Sequence, residues 1–130
     1  DEELLTRPAE GCNHLAWQIG HLISSECMLL DSVAPGFSTP LPDGFAEKHS
    51  KENSASDDAS DFATKDEYME YFEKLKQSAF KALDAQSDED LAGPPPENLQ
   101  GFCENVGAVF VLIATHGLMH AGQFVPARTV

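Results

Sequence analysis

The strongest constraint on this chain lies near its end, where Val106 to Ala114 runs without a single charged or amide side chain. A helix that is apolar on almost every side belongs in the middle of a domain. Val109, Phe110, Val111 and Ile113 would suit a buried strand equally well, and periodicity does not separate the two. Length does. The pattern continues through Thr115-His116-Gly117-Leu118-Met119-His120 without a turn signal, which predicts one helix from about Glu104 to Ala127. Pro126 should disturb it near its end. The strongly apolar part covers about nine residues, roughly half a membrane span.

The rest of the chain alternates between helical and irregular material. Asn13 to Val33 reads as helix, with Asn13 as N-cap and Ala16, Ile19, Ile23, Cys27 and Leu30 at three- and four-residue steps. Ala34-Pro35-Gly36 stops it. Residues 34–63 are rich in Pro, Ser, Asp and Gly and predict a long loop or crossover, longer than connections inside compact domains usually are. Thr64 followed by Glu67 is a capping box, and Tyr68, Phe72, Leu75, Ala79 and Ala82/Leu83 then form one apolar stripe. Ser87-Asp88-Glu89-Asp90 predicts a short helical turn, and Gly93 with Pro94 to Pro96 an irregular link. Three long helices make a poor bundle and four a good one. Asp1 to Leu5 reads as the end of a further helix. The expectation is therefore an all-α four-helix bundle with one long crossover connection, its first helix largely missing from the chain, forming a single domain over residues 1–130.

Charge narrows the function. Eight basic against 22 acidic residues give a net charge of −14, which repels phosphate backbones and anionic lipids. Neither nucleic acid nor a membrane surface is expected as a partner. No basic-then-apolar leader opens the sequence. The three cysteines, Cys12, Cys27 and Cys103, are odd in number and lack CxxC spacing, a pattern that suits reduced thiols and a cytoplasmic location. Each is expected to be a small buried hydrophobe.

His116 and His120 are the sharpest chemical feature. At i and i+4 they share one helix face and lie close enough to bind one ion. They also close the most apolar helix, where unpaired imidazoles carry a desolvation cost that a metal would remove. Hydrogen-bonded core histidines, or a helix end emerging into solvent, account for the same pair. The zinc-protease HExxH arrangement is absent, since Leu118 and Met119 follow Gly117. A third ligand has to come from elsewhere, and the first long helix offers His14 and His21. Seven residues separate them, about 10 Å along the axis, too far to share an ion. His21 follows Gly20, while Gly117 and Gly122 flank the other pair, so small residues are expected to let two helices approach. His14 reads as solvent-facing or as a support to a ligand, and His49, in the polar loop, as exposed.

Asn13-His14-Leu15-Ala16-Trp17-Gln18-Ile19-Gly20-His21-Leu22, together with His116-Gly117-Leu118-Met119-His120-Ala121-Gly122-Gln123, resembles the DinB/YfiT superfamily of four-helix-bundle metalloenzymes. Arg7-Pro8 and Asp88-Glu89-Asp90-Leu91 resemble it as well. The likeness implies a metal triad of His21, His116 and His120 holding one divalent transition metal ion, zinc or nickel first; imidazole also suits copper and iron. The family name refers to damage-inducible expression and implies no DNA binding. Three imidazoles leave a tetrahedral ion one open position, as in catalytic sites. The resemblance implies transfer of a low-molecular-weight thiol to an electrophile, or hydrolysis of a small-molecule substrate, without choosing between thiol transferase and hydrolase.

No carboxylate is placed by spacing as a general base. Glu26 points about 140° away from His21, and Glu104 precedes His116 by more than three turns. Gln123 either faces the site or is a packing amide, and Trp17 either walls the pocket or packs in the core. Met28 and Met119 are expected in the core. The 34–63 segment, with Phe37, Phe45 and Phe62, reads as a surface crossover or as a lid. The competing function class is a non-catalytic metal- or ligand-binding module, or a homodimer formed through the last helix.

Overall fold

The computed structural model describes residues 2–127, with side chains through Gln123. After a 3-10 turn at Glu2–Leu5 the helices are α1 (Leu15–Val33), α2 (Phe45–Lys48), α3 (Lys65–Asp84), α4 (Asp88–Ala92) and α5 (Val106–Ala127), with 3-10 turns at Lys51–Asn53, Ala59–Asp61 and Glu97–Leu99. No strand occurs among the described residues, so the helix-or-strand ambiguity at Val109 to Ile113 resolves to helix. The fold is all-α, and its long members are α1, α3 and α5.

Side-chain caps set the boundaries. The expected N-cap Asn13 gives way to His14, whose Nδ1 accepts from the Trp17 backbone N–H at 3.1 Å. Asn13 instead offers its carbonyl to the Gln18 amide at 2.8 Å. The capping box at Thr64 and Glu67 forms as expected, and a second one joins Ser87 to Asp90. Asn105 Oδ1 accepts from Ala108 N at 2.8 Å, which starts α5 at Val106 rather than Glu104. At the far end Pro126 does not terminate α5, which is bounded at Ala127.

The helix at the centre is α1, not α5. It packs against both α3 and α5 and supplies Ala16, Ile23, Cys27 and Leu30 to a core shared with Tyr68, Leu75, Ala82, Val109, Phe110 and Ile113. Only one side of α5 is covered. Val111, Leu118 and Met119 are 62%, 72% and 60% exposed, and Met28 on α1 is exposed too, so neither methionine is in the core. An all-apolar helix has no polar side to turn outward, but its composition does not say which side gets a neighbour. By length and composition alone, Val106–Gln123 with a mean hydropathy of 1.3 is also sufficient to cross a membrane.

The crossover is more ordered than its composition predicts. Phe45, His49 and Thr39 are buried. Arg7 ties it down with Nε donating to Asp57 at 2.8 Å, Nη2 to the Ser54 and Ser56 carbonyls at 3.1 Å each, and Nη1 to the Cys12 carbonyl at 2.8 Å. A guanidinium serves four acceptors here because its donors point in fixed, divergent directions. All three cysteines are free; Cys27 and Cys103 are buried as expected, whereas Cys12 is exposed.

Candidate metal centre

His21 from α1 meets His116 and His120 from α5 where the two helices pack. The His21 and His120 ring centroids lie 6.1 Å apart, and those of His116 and His120 5.0 Å apart at an interplanar angle of 73°. One helical turn before His21, Trp17 stacks on its ring at 4.7 Å and 7°. Trp17 is buried, and its Nε1–H donates to the Ser50 carbonyl at 2.9 Å, so it is both a core residue and a wall of the cluster.

The proton positions follow from the partners. His21 Nδ1 lies 3.2 Å from the His49 carbonyl, which can only accept, so Nδ1 carries the proton and the Nε2 lone pair is left for another partner. The Nδ1 atoms of His116 and His120 are buried and have no hydrogen-bond partner among the described residues. Burial is the largest influence on both rings and holds their pKa values below the ordinary histidine value; neighbouring histidines add to this, while a hydrogen bond with Gln123 works against it at His120. Both rings are therefore neutral at pH 7, the form that ligates a metal. As the side chains stand, no group of three or more His, Cys, Asp or Glu among the described residues is arranged to hold an ion. What speaks for a metal is donor chemistry alone: three neighbouring imidazoles, two of them with a buried nitrogen that has no partner among the described residues.

Two other histidines behave differently. His14 is fully buried rather than solvent-facing, with Nδ1 accepting from Trp17 N and Nε2–H donating to the Ser56 carbonyl at 3.0 Å. Neither nitrogen is left to support a ligand. His49, expected on the surface, is 1% exposed. Its Nδ1–H donates to the Phe45 carbonyl at 2.7 Å, and its Nε2 accepts from the Tyr68 hydroxyl at 2.7 Å, which in turn accepts from Ala63 N at 3.3 Å. The spacing from Phe45 to His49, four residues within one helical turn, was the only local signal of this arrangement, and it is obscured by the polar residues around it. Gly20 also has a different role from the one expected. A Cβ there would collide with the His49 ring, so Gly20 makes room for the crossover and not for α5. Gly117 has only the Leu22 side chain near it, at 3.8 Å, and Gly122 has nothing within 4 Å.

Sequence spacing placed Glu26 away from His21, and the structure puts it on another wall. It is buried, lining a cavity of about 520 Å³ with Phe72, Leu75, Phe110, Ile113 and Gly117. Desolvation pushes its carboxyl up to about 7. No carboxylate hydrogen-bonds a ring of the cluster among the described residues.

The chain matches the DinB superfamily over residues 1–124. No curated protein and no solved structure matches it. With the match covering nearly its whole length, the chain belongs to the DinB superfamily.

Proposed function

We propose that this chain is a metal-dependent enzyme in which His21, His116 and His120 hold one divalent transition metal ion, zinc or nickel, and act on a small molecule. The observation that carries this reading is the pair of buried Nδ1 atoms on His116 and His120, without a partner among the described residues, beside a third ring whose Nε2 has none there either. Buried polar groups in native proteins are nearly always satisfied, so rings left unsatisfied in a cluster point to a partner that is not protein. When bound, such an ion supplies Lewis acidity and an activated water or thiolate. The protein's own part is orientation. The His49 carbonyl fixes the tautomer of His21, Trp17 holds its ring flat, and burial keeps the α5 imidazoles neutral. Thiol transfer to an electrophile and hydrolysis are the two reactions this chemistry serves.

A second reading rests on a different observation. The uncovered apolar side of α5, with Val111, Leu118 and Met119, favours a module that associates through this helix, including as a homodimer, without turnover.

Elemental analysis of the purified protein separates the two. The enzyme reading expects about one equivalent of transition metal, lost in a His116→Ala/His120→Ala variant, together with thiol-dependent or hydrolytic activity that follows metal content. Absence of metal after reconstitution with zinc or nickel at neutral pH would overturn the triad and leave the module.

A further inference from the structure

The cavity that Glu26 lines is walled by α3 and α5, and α1 contributes Glu26 to it. Its volume of about 520 Å³ lies in the range of small-molecule sites. Phe72 and Phe80 on α3 and Phe110 on α5 give it aromatic walls. Two further charges line it, Glu73 and Lys76, and they pair with each other at 2.5 Å. With that pair cancelled, one negative charge is left over, and it belongs to Glu26.

Glu26 does nothing for the fold that a neutral side chain would not do better. It is 8% exposed, and no described residue donates a hydrogen bond to its carboxyl group. Burial raises that carboxyl to about 7, with no neighbouring cation to oppose the rise. A carboxylate removed from water without a donor or a counter-charge costs stability, and such a group in a cleft is a candidate for function. Neither carboxyl oxygen is sealed off, since the sealed polar atoms without a partner among the described residues belong to Gln18, His116 and His120. A group entering the cavity can therefore meet the carboxylate. An anion would be repelled, and a neutral apolar molecule would leave the charge drier and still unpaired. A cation on an apolar body relieves both conditions, and aromatic faces attract cations as well.

We propose that this cavity binds a small apolar amine in its ammonium form, the Glu26 carboxylate pairing with the charge and the phenylalanine walls taking up the apolar body. The contact needs no metal, so its failure would leave the reading of the histidine cluster standing.

The test uses 2-phenylethylamine and 2-phenylethanol, which share a carbon skeleton and differ in an ammonium replaced by a hydroxyl. Binding is followed by NMR titration of metal-free protein at pH 8, where Glu26 is mainly ionised and the amine is cationic. Wild type is expected to bind the amine roughly tenfold more tightly than the alcohol, with the Glu26 carboxyl carbon signal shifting for the amine alone. Glu26→Gln is expected to bind both alike. Glu70, an exposed acid on α3 outside the cavity, is the control for attraction by the acidic surface, and Glu70→Gln is expected to keep the preference. Equal binding in the wild type, no binding of the amine, a preference that survives Glu26→Gln, or one lost in Glu70→Gln would each overturn the proposal. Absence of binding together with a dimer in sedimentation would give the cleft to a second copy and overturn it as well. Should Glu26→Gln fail to fold, the wild-type preference and the Glu26 carboxyl signal decide the matter.

Discussion

The molecule carries two groups of histidines, and they differ in satisfaction more than in residue type. His14 and His49, against the crossover, are almost completely buried, and all four of their ring nitrogens have partners. His116 and His120, on α5, are less buried, yet each keeps a buried nitrogen without one among the described residues. Burial by itself would have ranked these groups in the wrong order as functional candidates. Hydrogen-bond accounting ranks them the other way: a satisfied imidazole is a structural strut, and an unsatisfied one is the better candidate for a ligand. His21 joins the two groups, tied to the first through the His49 carbonyl and facing the second with its ring.

The sharpest way to break this contrast is to remove each group in turn. A His116→Ala/His120→Ala variant is expected to fall from about one metal equivalent to none while its circular dichroism stays that of the wild type. Loss of the helical signal in that variant would mean that the α5 histidines are struts too. For the crossover group, His49→Ala should cost on the order of 3 kcal/mol, because the Tyr68 hydroxyl and Phe45 carbonyl lose their partner inside the core. Urea unfolding measures this, and a cost below about 1 kcal/mol would remove the distinction.

Acid sharpens the comparison further. Burial is the leading cause that lowers the pKa values of His14, His49, His116 and His120 below the ordinary 6.5. The unfolded chain therefore binds more protons than the native one near and below that value. These four residues contribute stability that is present at pH 8 and lost as the pH falls through about 6.5. Glu26 has the opposite sign. Its carboxyl is raised from 4.5 to about 7, so its contribution is full below 4.5 and is lost as the pH rises through 7. Glu26→Gln is expected to stabilise the protein by about 2 kcal/mol at pH 8 relative to pH 5, steepening the rise of stability with pH. An unchanged pH profile in urea melts would show that Glu26 is not desolvated in solution. The smallest effect is at Trp17. Trp17→Phe keeps an aromatic ring against His21 but deletes the bond to the Ser50 carbonyl, and should cost about 1 kcal/mol with metal content unaltered. A loss of metal there would make Trp17 part of the binding site.

The local patterns in the sequence carried most of the secondary structure. Thr64 with Glu67 and Ser87 with Asp90 start helices because a capping box is satisfied within four residues. The i, i+4 spacing of His116 and His120 put their rings side by side because helix geometry requires it. Convergence with His21 was implied by the family resemblance, not by any local pattern. His14 was misplaced because its burial comes from Phe62 and Ser56, more than forty residues away along the chain.

What the sequence determined by itself was an all-α chain, where each long helix lies, an acidic surface charge and membership of the DinB superfamily, since caps, periodicity and motif spacing act over a few residues. Only the tertiary structure decided that α1 rather than α5 is central, that His49 is a buried strut, that Gly20 yields to its ring, and that Glu26 lines an apolar cavity. Those outcomes depend on which surfaces meet across the fold, and residues far apart in the chain carry no local mark of their partners.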